Sequence, residues 1–108
     1  MDIVVRTHDV ELSEALSAYI DRKVDFAIKR YYDEVGRIVV RLADLNGPRG
    51  GIDKRCTIVL SLRAGGRIVV SGESHDAYAA VSSAASRLDA QIARRLRRHW
   101  QTSAATGR

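Results

Sequence analysis

The segment from His75 to Trp100 constrains the fold of this chain more than any other, because its pattern predicts one long amphipathic helix. Its apolar residues recur at three- and four-residue spacing, as on one face of an α-helix. At about 1.5 Å per residue such a helix is roughly 39 Å long, whereas a domain of 108 residues has a radius of gyration of about 13 Å. We therefore expect the C-terminal part of the helix to overhang the fold. The apolar stripe consists of Ala77, Val81, Ala84, Ala85, Leu88, Ile92, Leu96 and Trp100.

The same helix carries the net charge of the protein. Residues 1–86 contain twelve Lys/Arg and twelve Asp/Glu, whereas residues 87–108 contain six arginines and one aspartate, which accounts for the net charge of +5. Ser74 is the expected N-cap, with Asp76 in the first turn. The arginines therefore gather at the opposite end, in the half from Arg87 to Trp100 that we expect to overhang.

The preceding chain alternates between strand and helix patterns. Period-two alternation of apolar and polar residues predicts strands, and Ser13 is a favourable N-cap for an amphipathic helix. The segment Asn46–Gly51 is rich in Gly and contains the single Pro, which predicts a loop, and Gly65-Gly66 predicts a two-residue hairpin turn. The predicted elements are a strand at 3–8, a helix at 13–32, and strands at 37–45, 55–63 and 67–73.

This order predicts an α+β fold of the type β-α-β-β-β-α, similar in its second half to a double-stranded RNA-binding domain. The first two strands are joined through a helix and should be parallel, and the other strands should form an antiparallel meander. Each strand has one apolar face, so both helices should pack on the same face of a four-stranded mixed sheet. We expect one domain at residues 1–100 and a disordered C-terminal tail at 101–108.

The arginine cluster near the end of the last helix has two interpretations. Basic residues in the last turn of a helix complement its dipole. However, Arg94 lies three and four residues from Arg97 and Arg98, and like charges at these spacings destabilise a helix by a few tenths of a kcal/mol per pair. Such crowding favours a polyanionic partner, and the guanidinium fork suits phosphate. Nucleic acid is therefore the preferred interpretation, with a solvated helix end as the alternative.

A second group of arginines should lie on the face of the sheet that the helices leave open. Solvent-facing strands often carry charge, which also discourages edge pairing, and the balanced charge of residues 1–86 indicates that some of these arginines pair with acids. Binding and solvation are therefore equally good interpretations here. The group comprises Arg6, Arg37, Arg41, Arg55, Arg63 and Arg67.

The sequence offers little support for an enzyme. The three histidines, His8, His75 and His99, share no metal-ligand spacing. Cys56 falls on the inward side of a predicted strand, where it behaves as a small apolar residue. The glycine-rich loop lacks the Gly-Lys-Ser/Thr ending of a P-loop. We therefore expect no catalytic residue, metal, cofactor or small-molecule substrate. A single cysteine and the absence of a signal-peptide pattern favour the cytoplasm, and no apolar run is long enough to favour a membrane.

Two motifs carry a resemblance to a known family. The first is Ser13-Glu14-Ala15-Leu16, at the start of the first helix; the second is Asp76-Ala77-Tyr78-Ala79-Ala80-Val81, followed by Arg87-Leu88-Asp89-Ala90-Gln91-Ile92 and a basic run. With the β-α-β-β-β-α order, these segments resemble the ribosome hibernation-promoting factor and ribosome-associated inhibitor family. The resemblance extends from residue 2 to about residue 100.

The resemblance implies a partner and a mechanism. Family members bind the 16S rRNA of the small ribosomal subunit (30S), alone or in the 70S ribosome, in the channel of mRNA and the A- and P-site tRNAs, and so block translation in idle cells. This chain looks like a short form, and we expect a monomer off the ribosome. Positions that are basic in the family correspond to Lys23, Arg87, Arg94 and Arg98. Relatives often have Arg where this chain has Ala90, and some have Lys where it has Phe26.

The complete set of candidate RNA-binding residues combines the resemblance with the charge pattern. Arg95 and Arg97 compensate for the missing charge at Ala90, and three further arginines extend the set. Two other functions stay open, a general double-stranded RNA-binding module and a protein-interaction regulator that uses the open sheet face. The candidates are Lys23, Arg87, Arg94, Arg95, Arg97 and Arg98, with Arg22, Arg41 and Arg55 as the extension.

Overall fold

The computed structural model of the chain describes the backbone of residues 3–45 and 53–106, and the side chains in these ranges as far as Arg97. The predicted loop Asn46–Gly51 therefore lies outside the described residues. A 3-10 helix, Lys29–Glu34, follows the first α-helix. The other elements are β1 (Ile3–His8), α1 (Glu14–Ile28), β2 (Val35–Asp44), β3 (Lys54–Leu62), β4 (Arg67–Ser74) and α2 (Ala77–Thr106).

The sheet has the predicted α+β topology. Its strand order is β1-β2-β3-β4, with β1 parallel to β2 and the other two pairs antiparallel. Alternate residues of β2 and β3 are buried, so one face of the sheet forms the core and the other faces solvent. The prediction of a four-stranded mixed sheet with both helices on one face is confirmed.

A single hydrophobic core joins the helices to the sheet. Ile20 of α1, Ile38 and Ile58 of the sheet, and Leu88 and Ile92 of α2 are all fully buried. The predicted stripe of α2 is buried from Val81 to Leu96, whereas the side chain of Trp100 lies outside the described part of the chain. The apolar periodicity therefore identified the core-facing side of both helices.

Helix α1 begins as predicted but ends earlier. The Ser13 hydroxyl accepts a hydrogen bond of 3.1 Å from the Leu16 amide, so Ser13 is the N-cap. The α-helix ends at Ile28, and Tyr31, with φ −125°, interrupts the 3-10 helix that follows. The chain has to turn here because Val35, fully buried, already belongs to β2. The prediction of a helix to residue 32 was wrong because the apolar pattern continues through this turn.

The start of α2 is fixed by Asp76 rather than by Ser74. The Asp76 carboxylate accepts a hydrogen bond of 3.1 Å from the Tyr78 amide, and the Asp76 carbonyl accepts the first helical bond, from Ala80. Ser74 ends β4, and its hydroxyl accepts a bond of 3.3 Å from the Asp76 amide. The two side chains cap successive parts of the turn into α2, so the expected N-cap was two residues too early.

Helix α2 is docked on the sheet over most of its length. Ile92 is fully buried and Leu96 nearly so, so the expectation that the half from Arg87 onward overhangs was wrong. The apolar stripe continues to follow the sheet for two turns beyond Leu88. The helix ends at Thr106, so residues 101–106, assigned above to a disordered tail, are helical in the structure. Good helix formers such as Ala104 and Ala105 continue an existing helix easily. Residues 107 and 108 lie outside the described residues.

The connection between β3 and β4 is longer than predicted. Residues 63–66 separate the strands, and the Leu62 amide donates 3.0 Å to the Gly66 carbonyl. Gly65 and Gly66 have φ values of 108° and 84°, so the two glycines do supply the left-handed backbone that the pattern indicated. The turn therefore combines a tight reversal at Leu62–Gly65 with one further residue before β4.

Candidate nucleic-acid interface

The arginines of α2 divide into two groups with different surroundings. Arg87 donates a hydrogen bond of 2.5 Å to the Ser71 carbonyl, and Arg95 donates one of 3.4 Å to the Arg67 carbonyl. Both acceptors are main-chain atoms of β4, so these two side chains help to hold α2 on the sheet. Their charges are not neutralised by these bonds, because a carbonyl carries no net charge. Each can still contact an anion, but from a fixed position.

Arg94 and Arg97 form the second group and extend into solvent. Both are exposed, and neither lies within ion-pair distance of a carboxylate among the described side chains. They are three residues apart, so they are neighbours on the helix surface and repel each other. Arg98 follows one turn after Arg94, and its side chain lies outside the described residues. Position Ala90, one turn before Arg94, is exposed and uncharged.

A second set of cations lies on α1 and directly after it, beside a partly buried ring, Tyr19, and an exposed ring, Phe26. The Arg22 guanidinium and the Lys23 ammonium are each 5.5 Å from the centre of the Tyr19 ring. One turn further, the Lys29 ammonium is 4.9 Å from the centre of the Phe26 ring, and Phe26 is 70% exposed. Cations interleaved with aromatic faces are a common composition for surfaces that bind single-stranded nucleic acid.

The candidates on the sheet lie on the opposite side of the molecule. Arg41 is exposed and is paired in register with Arg6 of β1, so two like charges are adjacent on the open face. Arg55 instead forms an ion pair of 2.9 Å with Glu73 of β4. This cross-strand pair neutralises Arg55 and makes it the weakest of the sequence-derived candidates. The structure thus brings the helical candidates to one side and leaves Arg41 and Arg55 on the other.

Two features of the surface were not predicted from the sequence. The open sheet face carries a row of four valines in register, Val4, Val39, Val59 and Val69, of which Val69 is 57% exposed. The alternation placed each valine on that face, but only the strand register aligns them. Phe26 was treated as a lost charge rather than as an aromatic surface. Its signal was available, since a Phe on the polar side of an amphipathic helix is unusual.

The histidine, cysteine and acidic side chains are placed as follows in the described part of the chain. Among them no group of three or more His, Cys, Asp or Glu side chains is arranged to hold a metal ion. Cys56 is fully buried, and its burial raises the pKa of the thiol to about 12, so the thiolate is not formed at neutral pH. The described helices include none that is both long and apolar enough to cross a bilayer.

Comparisons with known proteins agree on one family. The family model described as Sigma 54 modulation protein / S30EA ribosomal protein matches residues 3–100. The crystal structure of the N-terminal domain of Protein Y from Thermus thermophilus is 30% identical, with a TM-score of 0.71, and the match covers 87% of this chain and 98% of that one. A ribosomal subunit interface protein from Coxiella burnetii has the same fold, with 23% identity, a TM-score of 0.75, and coverage of 87% and 96%. A comparison with curated proteins finds no significant match.

Proposed function

Because the chain belongs to the sigma 54 modulation and S30EA ribosomal protein family, we propose that it is a ribosome-associated translation inhibitor of the hibernation type. It binds the 16S rRNA of the small subunit, alone or within the 70S ribosome, in the channel that mRNA and the A- and P-site tRNAs otherwise occupy. It acts in the cytoplasm, where ribosomes are, and it is monomeric when it is not bound to them.

The observation that supports this proposal best is the unpaired charge of Arg94 and Arg97. The two arginines repel each other and are not compensated by an acid of the described chain, so an external anion would relieve the repulsion. Guanidinium groups bind phosphate through two parallel hydrogen bonds. In the same helical layer, Lys23 of α1 lines a depression together with residues of α2, and Lys29, directly after α1, adds a further cation. A folded RNA presents phosphates over an area of that kind.

The mechanism that follows is steric exclusion. The protein performs no chemical step, and bound protein prevents mRNA and tRNA from entering the space that it fills. Phosphate contacts supply the affinity through the release of counterions from the RNA. Arg87 and Arg95 contribute from positions fixed against β4, so little side-chain freedom is lost when they meet a phosphate.

Co-sedimentation with purified small subunits over a series of salt concentrations tests the proposal. If about five or six phosphates are neutralised, the logarithm of the affinity should fall with the logarithm of salt concentration with a slope of roughly −4 to −5. Binding that is insensitive to salt, or no binding at all, would refute it. Competition by a generic RNA duplex as strong as that by subunits would instead favour a general double-stranded RNA-binding module.

Charge reversal locates the surface that binds. The double variant Arg94→Glu, Arg97→Glu should lose subunit binding, because it places two negative charges on the surface proposed to meet phosphate. The fold should be unchanged, because both side chains are exposed. The double variant Arg6→Glu, Arg41→Glu, on the opposite face, reverses the same number of charges, so it is the matched control and should bind like the unmodified protein. If this control loses binding and the Arg94→Glu, Arg97→Glu variant retains it, the RNA contacts lie on the sheet face.

A further inference from the structure

Helices α1 and α2 enclose a groove on the outer surface of the helical layer. The helices run in the same direction, since Tyr19 contacts Tyr78 near their N-terminal ends, and eleven residues further along each segment Arg30, in the 3-10 helix that follows α1, contacts Asp89 of α2. The tyrosine rings meet edge to face at 5.0 Å, and the Arg30–Asp89 ion pair is 3.0 Å long. Between these two contacts, in the sequence of each segment, lie the residues that line a groove with a volume of about 310 Å³, and Asp89 is one of them.

The apolar and polar residues that line the groove lie on different sides of it. Small residues, Ala27 and Ala85, form its floor, because no large side chain fills the space between the helices at this level. The α1 wall consists of Lys23 and Phe26, and the α2 wall presents polar groups, the hydroxyls of Ser82 and Ser86 and the carboxylate of Asp89. The groove therefore offers an aromatic ring on one side and hydrogen-bonding groups on the other.

Asp21 and Asp25 lie on a different flank of α1 from the groove. They line a separate depression beside Ile3 of β1, together with Arg22 and without any residue of α2. Lys23 faces the groove, and Lys29 lies against the exposed Phe26 ring. A ligand that enters the groove thus approaches an aromatic ring flanked by cations, with the acids of α1 directed elsewhere and the Asp89 charge already paired with Arg30.

We propose that this groove receives one unstacked base of single-stranded RNA, with Phe26 as the residue on which the base stacks. The inference rests on the proposed function and adds a specific subsite to it. Lys23 and Lys29 contact the phosphates on either side of the base, and the Ser82 and Ser86 hydroxyls bond to its edge. Stacking on an aromatic ring with phosphates held by adjacent cations is the general mode of recognition of unpaired nucleotides.

The salt series separates stacking from charge. Phe26→Leu keeps an apolar side chain at an exposed site, so the fold should not change, but the flat aromatic face is lost. We expect the affinity for small subunits to fall about 5- to 100-fold at every salt concentration, with the slope unchanged, because no charge is removed. By contrast, Lys23→Met removes one phosphate contact, so the salt dependence of the affinity should become less steep, with a slope smaller in magnitude by about one. Unchanged affinity of Phe26→Leu would overturn the inference.

Three further variants sharpen the test. Phe26→Trp should restore binding, since it restores an aromatic face. Ser86→Phe should weaken binding as Phe26→Leu does, because a ring at this exposed position fills the groove from the α2 side while Phe26 remains. Tyr32→Leu, which removes a partly exposed aromatic ring outside the groove, should bind normally. Failure of Phe26→Trp to recover, or normal binding by Ser86→Phe, would contradict the subsite.

A direct measurement keeps the subsite distinguishable from ribosome binding. A short oligouridine that carries a single 2-aminopurine reports stacking through quenching of its fluorescence. The unmodified protein should quench it at saturation and Phe26→Leu should not. If the protein does not bind ribosomal subunits but quenches the probe through Phe26, the proposed function fails and the subsite stands. If it binds subunits but Phe26→Leu quenches equally, the subsite fails and the proposed function stands.

Discussion

The ionisation of Cys56 depends on the fold. It is fully buried in β3, and burial raises the pKa of its thiol from 9.0 to about 12. Above pH 9 the unfolded chain therefore loses the thiol proton while the folded protein keeps it. Since the unfolded state then binds fewer protons, the free energy of unfolding falls as pH rises, over the window from pH 9 to about 12.

The first prediction follows from this linkage. The thiol should contribute a loss of about 1.4 kcal/mol in the free energy of unfolding per pH unit within that window. Urea unfolding of the unmodified protein and of Cys56→Ala at pH values from about 8 to 10.5 measures the contribution, because tyrosines and lysines titrate equally in both. Over this pH range the free energy of unfolding of Cys56→Ala should fall by about 2 kcal/mol less than that of the unmodified protein. Parallel curves would mean that the thiol ionises in the folded state.

Lys54 compensates a buried carboxylate, which gives a second prediction. Its ammonium lies 3.1 Å from Asp53 and 3.4 Å from Asp44, and the hydrogen bond to Asp53 is the main reason that the pKa of Lys54 is raised. Asp53 is only 3% exposed, and its Oδ1 accepts no hydrogen bond among the described residues. Lys54→Met should therefore lower the melting temperature, and Lys54→Met, Asp53→Asn should recover part of the loss. Calorimetric melting of both variants checks this, and an equal loss in both would contradict it.

For a single residue, the sequence predicts which side of its helix or strand the side chain occupies, but not which atom it contacts. Helical spacing was enough to place Arg94 and Arg97 on the solvent side of α2. It could not reveal that Arg95 reaches the Arg67 carbonyl, because that contact depends on where the β3–β4 turn lies beneath the helix. Likewise, Arg55 was expected on the open face, but its neutralisation by Glu73 depends on the register of two strands, which residue spacing alone does not fix.

At the scale of elements, Gly72 determines how closely α2 approaches the sheet. A Cβ atom at this position would lie 2.7 Å from the Ala80 carbonyl oxygen, the Ala84 amide nitrogen and the Ser83 Cβ. Two of these atoms belong to the helix backbone, so they cannot move aside as a side chain could. The close contact explains why the residues of α2 over this point, Ala80 and Ala84, are small and fully buried.

The third prediction concerns this contact. Gly72→Ala should displace α2 from β4 and destabilise the protein by about 1–3 kcal/mol. It should also weaken subunit binding, because the displaced helix carries Arg94 and Arg97. Ser71→Ala, at the adjacent position on the opposite face of the sheet, is the control and should change the stability by less than about 0.5 kcal/mol. Urea unfolding measures the stability and co-sedimentation measures the binding. If Gly72→Ala is as stable as the unmodified protein, α2 moves away from the new methyl group without cost and the prediction is wrong.

Element order was predictable because local periodicity decides it, and element ends were not. The pattern of α1 continued through Tyr31, although the chain leaves the helix at Ile28 to reach β2. For α2 the error had the opposite sense, since the length of the helix indicated an overhanging half where Ile92 and Leu96 are in fact buried. In both cases the end of the element depends on the sheet beneath it, which no local pattern describes.

At the scale of the whole molecule, the fold creates two chemically different sides. The helical side combines unpaired cations with Phe26 and the groove, whereas the sheet side combines Arg6 and Arg41 with the valine row. The net charge of the chain could suggest only that an anion binds somewhere. The arrangement of the side chains makes the helical side the better surface for RNA, because its cations flank aromatic rings and small residues leave space for a base.

The final prediction tests this orientation on intact ribosomal subunits. Single cysteines are introduced in a Cys56→Ala background at Ala90, which is exposed on α2, and at Val69, which is exposed on the open sheet face. Neither substitution removes a charge. When subunits are bound, the Ala90→Cys thiol should react with a bulky maleimide at least about tenfold more slowly, because the rRNA blocks access to it. A tenfold factor corresponds to about 1.4 kcal/mol of protection. The Val69→Cys thiol should react as fast as in free protein. Protection of Val69→Cys alone would place the rRNA on the sheet face, and protection of both would mean that the ribosome encloses the domain from both sides.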